Sequence, residues 1–304
     1  MNRKQSQQTE ERNRETAGLD CLSTEDLVNV LAVEQRKAPD AVASQCARIA
    51  IAVDHIAARL RAGGRLHYLG AGTSGRLGFL DASEMPPTFG TDPALICAHI
   101  AGGLGALTRA VEGAEDDGEA GAGEMRGHVH AGDAVVGISA SGGAAYVVRA
   151  IESARAAGAW TLGVSNNAGS LLGSAADLEI VLATGPEPLT GSTRLLAGTS
   201  QKVLLNTLST AVMVRLGKVY DNLMVDVVAT NNKLRVRALR LVMDLTAGDE
   251  VRARELLAAA DGNVKLAVLI GRLGVGAEEG RSILRSSGGS LRGGLGAAEG
   301  PGNV

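Results

Sequence analysis

Aromatic residues are nearly missing from this chain. One Trp, three Tyr and two Phe make up 2% of 304 residues. That excludes a nucleic-acid surface built on stacked bases, which needs exposed rings. No positive charge compensates. Lys and Arg number 30 against 33 Asp and Glu, for a net charge of −3, so the chain has no broad basic face for a phosphate backbone. Cysteine is scarce as well. Cys21, Cys46 and Cys97 show no metal or redox spacing and fit the reduced thiols of a cytosolic protein. Long apolar runs are missing, so no segment spans a bilayer. Met1 to Arg14 are polar and charged, unlike a secretory leader. The expectation is a soluble, cytoplasmic protein with no nucleic-acid and no membrane partner.

What is present is small and aliphatic. Hydrophobic residues make up 45% of the chain, so the core must be Ala, Leu, Val and Ile against closely packed backbone. Gly reaches 41, but with Pro at 7 this is not a low-complexity composition. The length suits one large or two small domains.

Residues 1–20 read as polar and extended. Ser23 is placed to cap a helix with Asp26 in its first turn. A second helix is expected from Pro39 to Arg61, with Val42, Ile49, Val53, Ile56 and Leu60 on one face and Gly63-Gly64 as its stop. Strands and helices then alternate. The strand candidates are Leu66–Leu69, Leu95–Ala98, Ala134–Ile138, Thr161–Val164 and Leu178–Leu182. This alternation predicts an α/β fold, a parallel sheet covered on both faces. A long helix is expected from Arg194 to Leu216. The tail from Leu234 reads as helical, with an amphipathic stretch from Val251 to Leu273 that turns at Asp261-Gly262-Asn263. Residues 286–304 are Gly/Ser-rich and read as frayed. The domain boundaries read as 1–62, 63–233 and 234–304.

Three loops carry the chemistry. In the first, Gly70-Ala71-Gly72-Thr73-Ser74-Gly75-Arg76 joins a strand to a helix. Glycines let the backbone approach a ligand, free amides at a helix start attract negative charge, and Thr73 and Ser74 add hydroxyls. The spacing also fits a dinucleotide fingerprint, but no acid stands at the end of the second strand to hold a ribose. Ser139-Ala140-Ser141-Gly142-Gly143 follows the third strand, and Thr190-Gly191-Ser192-Thr193-Arg194 follows the fifth. Either the three loops converge on one anion-binding crevice at the strand ends, or their Ser and Thr simply cap three separate helices. Arg194 and Lys202 either offset substrate charge or lie on a solvated helix face.

Two acids stand out. Glu84 is expected to end the helix after the first loop, because Met85-Pro86-Pro87 follow it. An acid there opposes the helix dipole, which suggests a functional reason or an ordinary exposed helix end. Leu104, Leu107 and Val111 form an apolar stripe on an expected helix, and Glu115 continues it. Glu115 is then an inward acid with a raised pKa, or the neutralised partner of a salt bridge. His128 and His130 read as a solvated loop pair, and Asp116 and Asp117 as a solvated helix end. No metal ligands are expected.

The loops also resemble a known family. Gly70 through Gly78 followed by Leu80-Asp81-Ala82-Ser83-Glu84 looks like the N-acetylmuramic acid 6-phosphate etherases. So do Ile100 to Gly103, Ala110 to Asp116, Thr190 to Arg194, Ala197 to Thr199 with Gln201-Lys202, and Asn222 to Val227. Near the N-terminus, Thr9 to Asn13, Leu19-Asp20 and Leu22 to Thr24 are similar too. The resemblance runs from about residue 9 to about residue 295. It implies the sugar isomerase fold, a three-layer sandwich on a central parallel sheet, with N-terminal helices and a small C-terminal helical subdomain. It also implies a phosphorylated amino sugar as substrate, a homodimer, and neither metal nor nucleotide cofactor.

The reaction implied is cleavage of a lactyl ether by elimination and water addition, in cell-wall amino sugar recycling. Glu84 matches the proton donor to the lactate oxygen and Glu115 the base at carbon two. Gly72, Thr73, Ser74, Gly75, Arg76, Ser139, Ser141, Gly142, Thr190, Ser192, Thr193 and Lys202 are the expected substrate-binding residues. Gly143, Ala144 and Ala145 depart from the family's usual Arg, Thr and Pro, and Ala144 removes a hydroxyl that commonly helps hold phosphate. Ser165 to Gly169 replaces an Asn-Pro-Gly ending, a loop difference expected to matter less. A phosphosugar-sensing regulator of the same fold is the alternative, with an aldose–ketose isomerase behind it.

Overall fold

The computed structural model describes residues 8–227 and 232–299. Residues 1–7 and 300–304, the ends of the two polar terminal stretches, lie outside the described residues. Five short aliphatic runs form a parallel sheet: β1 (Leu66–Gly70), β2 (Ile96–Ile100), β3 (Ala134–Ile138), β4 (Trp160–Ser165) and β5 (Leu178–Val181). Strand order is β2-β1-β3-β4-β5, with Leu66 paired to Ile96 on one side and Ala134 on the other. All five strand expectations are met. Strands β1, β3 and β4 are buried along their whole length, as central parallel strands must be.

The helices are α1 (Thr24–Glu34), α2 (Lys37–Ala43), α3 (Cys46–Arg61), α4 (Gly72–Phe89), α5 (Gly118–His128), α6 (Ala145–Ala156), α7 (Leu171–Ala175) and α8 (Leu196–Arg215). Ser23 caps α1 by accepting from the Asp26 amide. On one sheet face α5 and α6 pack Met125, Val129, Val147 and Ile151 against Leu69 and Val135. On the other, Tyr68 of β1 meets α4 at Gly78 and donates its hydroxyl to buried Asp81 at 2.9 Å.

The segment after α8 holds a two-stranded hairpin, β6 (Val219–Tyr220) with β7 (Leu223–Met224), and α9 (Asn232–Thr246), α10 (Glu250–Ala259), α11 (Val264–Leu273), α12 (Ala277–Ser286) and α13 (Leu291–Glu299). These helices share an aliphatic core around Val242, Leu256, Val268 and Leu269. Asp249 and Asn263 cap α10 and α11, and Asp261 and Gly262 make the expected turn with positive φ. Two compact units result: Met1–Ala82 with Ala94–Ser209, and Ser83–Pro93 with Thr210–Val304. The divisions fall inside α4 and α8. Among the described residues, no helix is long and apolar enough to cross a membrane.

Five expectations are corrected. The single helix from Pro39 to Arg61 is two, α2 and α3. The Ser44 hydroxyl bonds the Ala41 carbonyl at 2.7 Å and Gln45 leaves helical geometry, a local competition that apolar spacing does not reveal. The stretch 104–115 is not one helix. It holds two 3-10 turns, Leu104–Leu107 and Ala114–Asp116, because Gly102, Gly103 and Gly113 take positive φ. Leu104 is 72% exposed and Val111 47%, so the apolar stripe faces outward and Glu115 is exposed rather than buried.

Helix α4 runs through Pro86 and Pro87 to Phe89. Proline φ is already helical, and the Gly90 amide closes the last turn on Pro86 at 2.9 Å. Residues 291–299 are helical rather than frayed, because Leu291 and Leu295 are buried one turn apart and the bare Cα of Gly294 lets α12 and α13 approach. The arm at 8–21 is not simply extended. It forms two 3-10 turns and buries Thr9, Asn13 and Thr16.

Candidate active site

Strand order 2-1-3-4-5 reverses its winding between β1 and β3. Ligands of such sheets sit beyond the carboxyl ends of those two strands. A cavity of about 390 Å³ lies there. From the β1 loop it is lined by Ala71, Gly72, Thr73 and Ser74, and from the β3 loop by Ile138, Ser139, Ala140, Ser141 and Ala144. Gly191 and Thr193 complete it from the third loop, with the acids Glu10 and Glu115. The three hydroxyl-and-glycine loops converge as the crevice expectation requires. A wider groove of about 840 Å³ along the N-terminal arm and α2 contains none of these loop residues.

The β1 loop is tight for a steric reason. A Cβ on Gly70 would lie 2.6 Å from the Gly75 amide nitrogen, and one on Gly75 would lie 2.6 Å from Ile100 Cγ1. Glycine at both places lets α4 start directly against the strand end. Its first amides, at Gly72, Thr73 and Ser74, have no acceptor inside the helix and border the cavity, where they favour an anion. The Ser74 hydroxyl is engaged elsewhere, donating 2.8 Å to Gln201 Oε1.

The β3 loop folds on its own hydroxyls. Ser139 Oγ accepts from the Gly142 amide and Ser141 Oγ from the Gly143 amide, each at 3.1 Å. Helix α6 then begins after Ala144, its N-cap position, without a side-chain cap. Helix α8 is different. Buried Glu187 accepts from the Leu196 and Ala197 amides at 2.8 and 2.9 Å, which closes that helix start to a ligand. Burial pushes the Glu187 carboxyl above its ordinary value, and the two amides only partly offset this.

A buried polar hub fastens the loops. Asn166, fully buried, donates to Leu182 O, Thr184 Oγ1 and Ser200 Oγ and accepts from Gln201. Asn167 donates to Ala140 O and to Thr9 Oγ1, holding the arm that presents Glu10. The 165–169 loop therefore matters more than its sequence suggests. Sequence reasoning also missed Glu10, Glu187 and Gln201 as neighbours of the site. The Thr9-to-Asn13 motif was the only signal for Glu10.

The cavity lining does not include Gly75, Arg76, Gly142, Thr190, Ser192 or Lys202 among the described residues. Arg76 donates to the Leu107 carbonyl at 3.2 Å, and Lys202 bonds Asn206, which reaches Asp81 at 2.8 Å. Gly75 and Gly142 are packing positions. Glu84 is exposed on α4 and belongs to the second unit.

The family model of the glucokinase regulatory protein N-terminal SIS domain matches residues 48–155. The N-acetylmuramic acid 6-phosphate etherase of Symbiobacterium thermophilum is 52% identical over 261 residues, covering 86% of this chain and 87% of that one. This chain belongs to the N-acetylmuramic acid 6-phosphate etherase family. The etherase of Streptomyces avermitilis is 50% identical over 291 residues, 95% of this chain and 94% of its own, and that of Mycolicibacterium smegmatis is 48% identical over 291 residues, 95% and 98%. The etherase relatives span both units, whereas the SIS model spans part of the first and the Ser83–Pro93 segment of the second. The fold is that of the sugar isomerase domain.

Proposed function

We propose that the protein cleaves the D-lactyl ether of N-acetylmuramic acid 6-phosphate, giving N-acetylglucosamine 6-phosphate and D-lactate. The observation that carries this reading is the cavity at the ends of β1 and β3, where free helix amides and hydroxyls meet two exposed carboxylates, Glu10 and Glu115. Phosphate sits against the amides of Gly72 to Ser74 and the hydroxyls of Thr73, Ser139, Ser141 and Thr193. The open α6 start behind Ala144 adds amide donors in place of a side-chain hydroxyl.

The ether oxygen is on carbon three, beta to the aldehyde of the ring-opened sugar. Glu115 takes the proton from carbon two, the C2–C3 double bond forms, and the C3–O bond breaks. Glu84, assigned on its motif, gives a proton to the departing lactate oxygen. Water then adds across the double bond, its hydroxyl to carbon three and its proton to carbon two. Two carboxyl groups in opposite protonation states meet these needs. The protein acts as a cytoplasmic homodimer in amino sugar recycling.

The test is incubation of the purified protein with N-acetylmuramic acid 6-phosphate and assay of D-lactate. Release of D-lactate and N-acetylglucosamine 6-phosphate in equal amounts is expected. Binding of the sugar phosphate without lactate release overturns the enzymatic reading in favour of a sensor.

A further inference from the structure

Away from the cavity, three histidines and two carboxylates form a chain beside the edge strand. His67 on β1 and His99 on β2 share a sheet face. His67 Nε2 lies 3.4 Å from Asp133 Oδ2, His67 Nδ1 lies 3.0 Å from His99 Nε2, and His99 Nδ1 lies 2.7 Å from Glu124 Oε1. Both imidazoles are buried, at 0% and 8% exposed, which favours their neutral forms. A neutral imidazole carries one N–H. Two protons therefore serve three gaps.

The Asp133 carboxylate favours a proton on His67 Nε2. His67 Nδ1 then accepts from His99 Nε2, and His99 Nδ1 is left as a bare lone pair against the Glu124 carboxylate. Shifting both protons the other way exposes His67 Nε2 to Asp133 instead, and that enclosed nitrogen has no hydrogen-bond partner. In either arrangement one pair of acceptors faces without a proton, and a cation between His99 and Glu124 removes the conflict.

His128 completes the set. It stands one turn after Glu124 on α5, and its Nδ1 bonds the Glu124 carbonyl at 2.8 Å, leaving Nε2 free. One ligand atom from each of His99, Glu124 and His128 lies within 4.8 Å of the others. Ligand atoms of a tetrahedral zinc ion, with bonds of about 2.0–2.1 Å, are about 3.3 Å apart, so small side-chain rotations suffice. Each histidine would have its second nitrogen held by an acceptor, the usual outer support of a metal-bound imidazole.

We propose that His99, Glu124 and His128 bind a divalent cation of the zinc class, with water as the fourth ligand. The ion clasps the C-terminal end of α5 to β2. His67 and Asp133 are positioning residues behind His99. This partner for His128 replaces the solvated His128–His130 pair expected from spacing.

The test uses chelator-stripped full-length protein titrated with Zn²⁺ by calorimetry and with Co²⁺ by visible absorption. One saturable site per chain, a tetrahedral Co²⁺ band and a Zn²⁺-dependent rise in melting temperature are expected. His128→Ala and Glu124→Gln, both at partly or fully exposed side chains, should each weaken binding by about tenfold or more. His130→Ala should leave binding unchanged. No saturable binding overturns the site, as does an equal loss in all three variants.

Discussion

Glu115 occupies an exposed 3-10 turn at the rim of the cavity. Its carboxylate is therefore free to act on a ligand, and its removal disturbs little packing. Glu115→Gln should lower the rate of D-lactate release by about 10²- to 10⁴-fold, with unfolding free energy changed by less than about 0.5 kcal/mol. Kinetics and urea unfolding on the same preparation check both. Near-native turnover removes Glu115 as the base. Its motif put Glu115 among the site candidates and it lines the cavity, but the helical spacing used to turn it inward failed. Glycines at 102, 103 and 113 take backbone conformations no helix allows. Ser74 is the converse case. It lines the cavity as expected, yet its hydroxyl is engaged with a residue 127 positions away.

Among the elements, the β3 loop depends on Gly142. Its φ is +67°, and an added Cβ would lie 2.3 Å from Ser170 Cβ. A left-handed conformation alone costs a non-glycine residue about 1–2 kcal/mol. Gly142→Ala should therefore destabilise the protein by more than about 2 kcal/mol, read as a lower urea midpoint with unchanged slope. A native midpoint shows that the loop is not held as described. The strands were legible because parallel strands are short continuous aliphatic runs. Helix ends were less so. Two prolines suggested a stop inside α4, and glycine-rich composition hid α13, because neither pattern reports which side chains the tertiary core takes up.

For the whole molecule, buried Asp133 ties the entry of β1 to the turn before β3. It accepts from the Arg65 amide at 2.7 Å and the His130 amide at 2.8 Å. Burial works to raise its pKa, but those amides and the nearby His67 and Arg65 outweigh it, so the carboxyl sits below its usual 3.8. A carboxyl depressed on folding stabilises above the unfolded pKa, and that stability is lost as pH falls through the folded value. Asp133→Asn should cost about 1–3 kcal/mol at pH 7, and the gap to the native protein should narrow below pH 3.8. Urea unfolding across that range tests it, and a gap independent of pH excludes the ionised carboxylate as the cause.

By itself the sequence determined the α/β alternation, the five strands, the three polar loops and the family, because these depend on local periodicity, turn chemistry and contiguous motifs. Only the tertiary structure decided which loop residues face one cavity. It turned Gly75 and Gly142 to packing, tied Arg76 to the Leu107 carbonyl, brought Glu10 in on an arm held by Asn167, and closed the α8 start with Glu187. It also set His99 beside Glu124 and His128. Those pairings join residues far apart in the chain, and their register depends on how strands and helices pack, which no local pattern encodes.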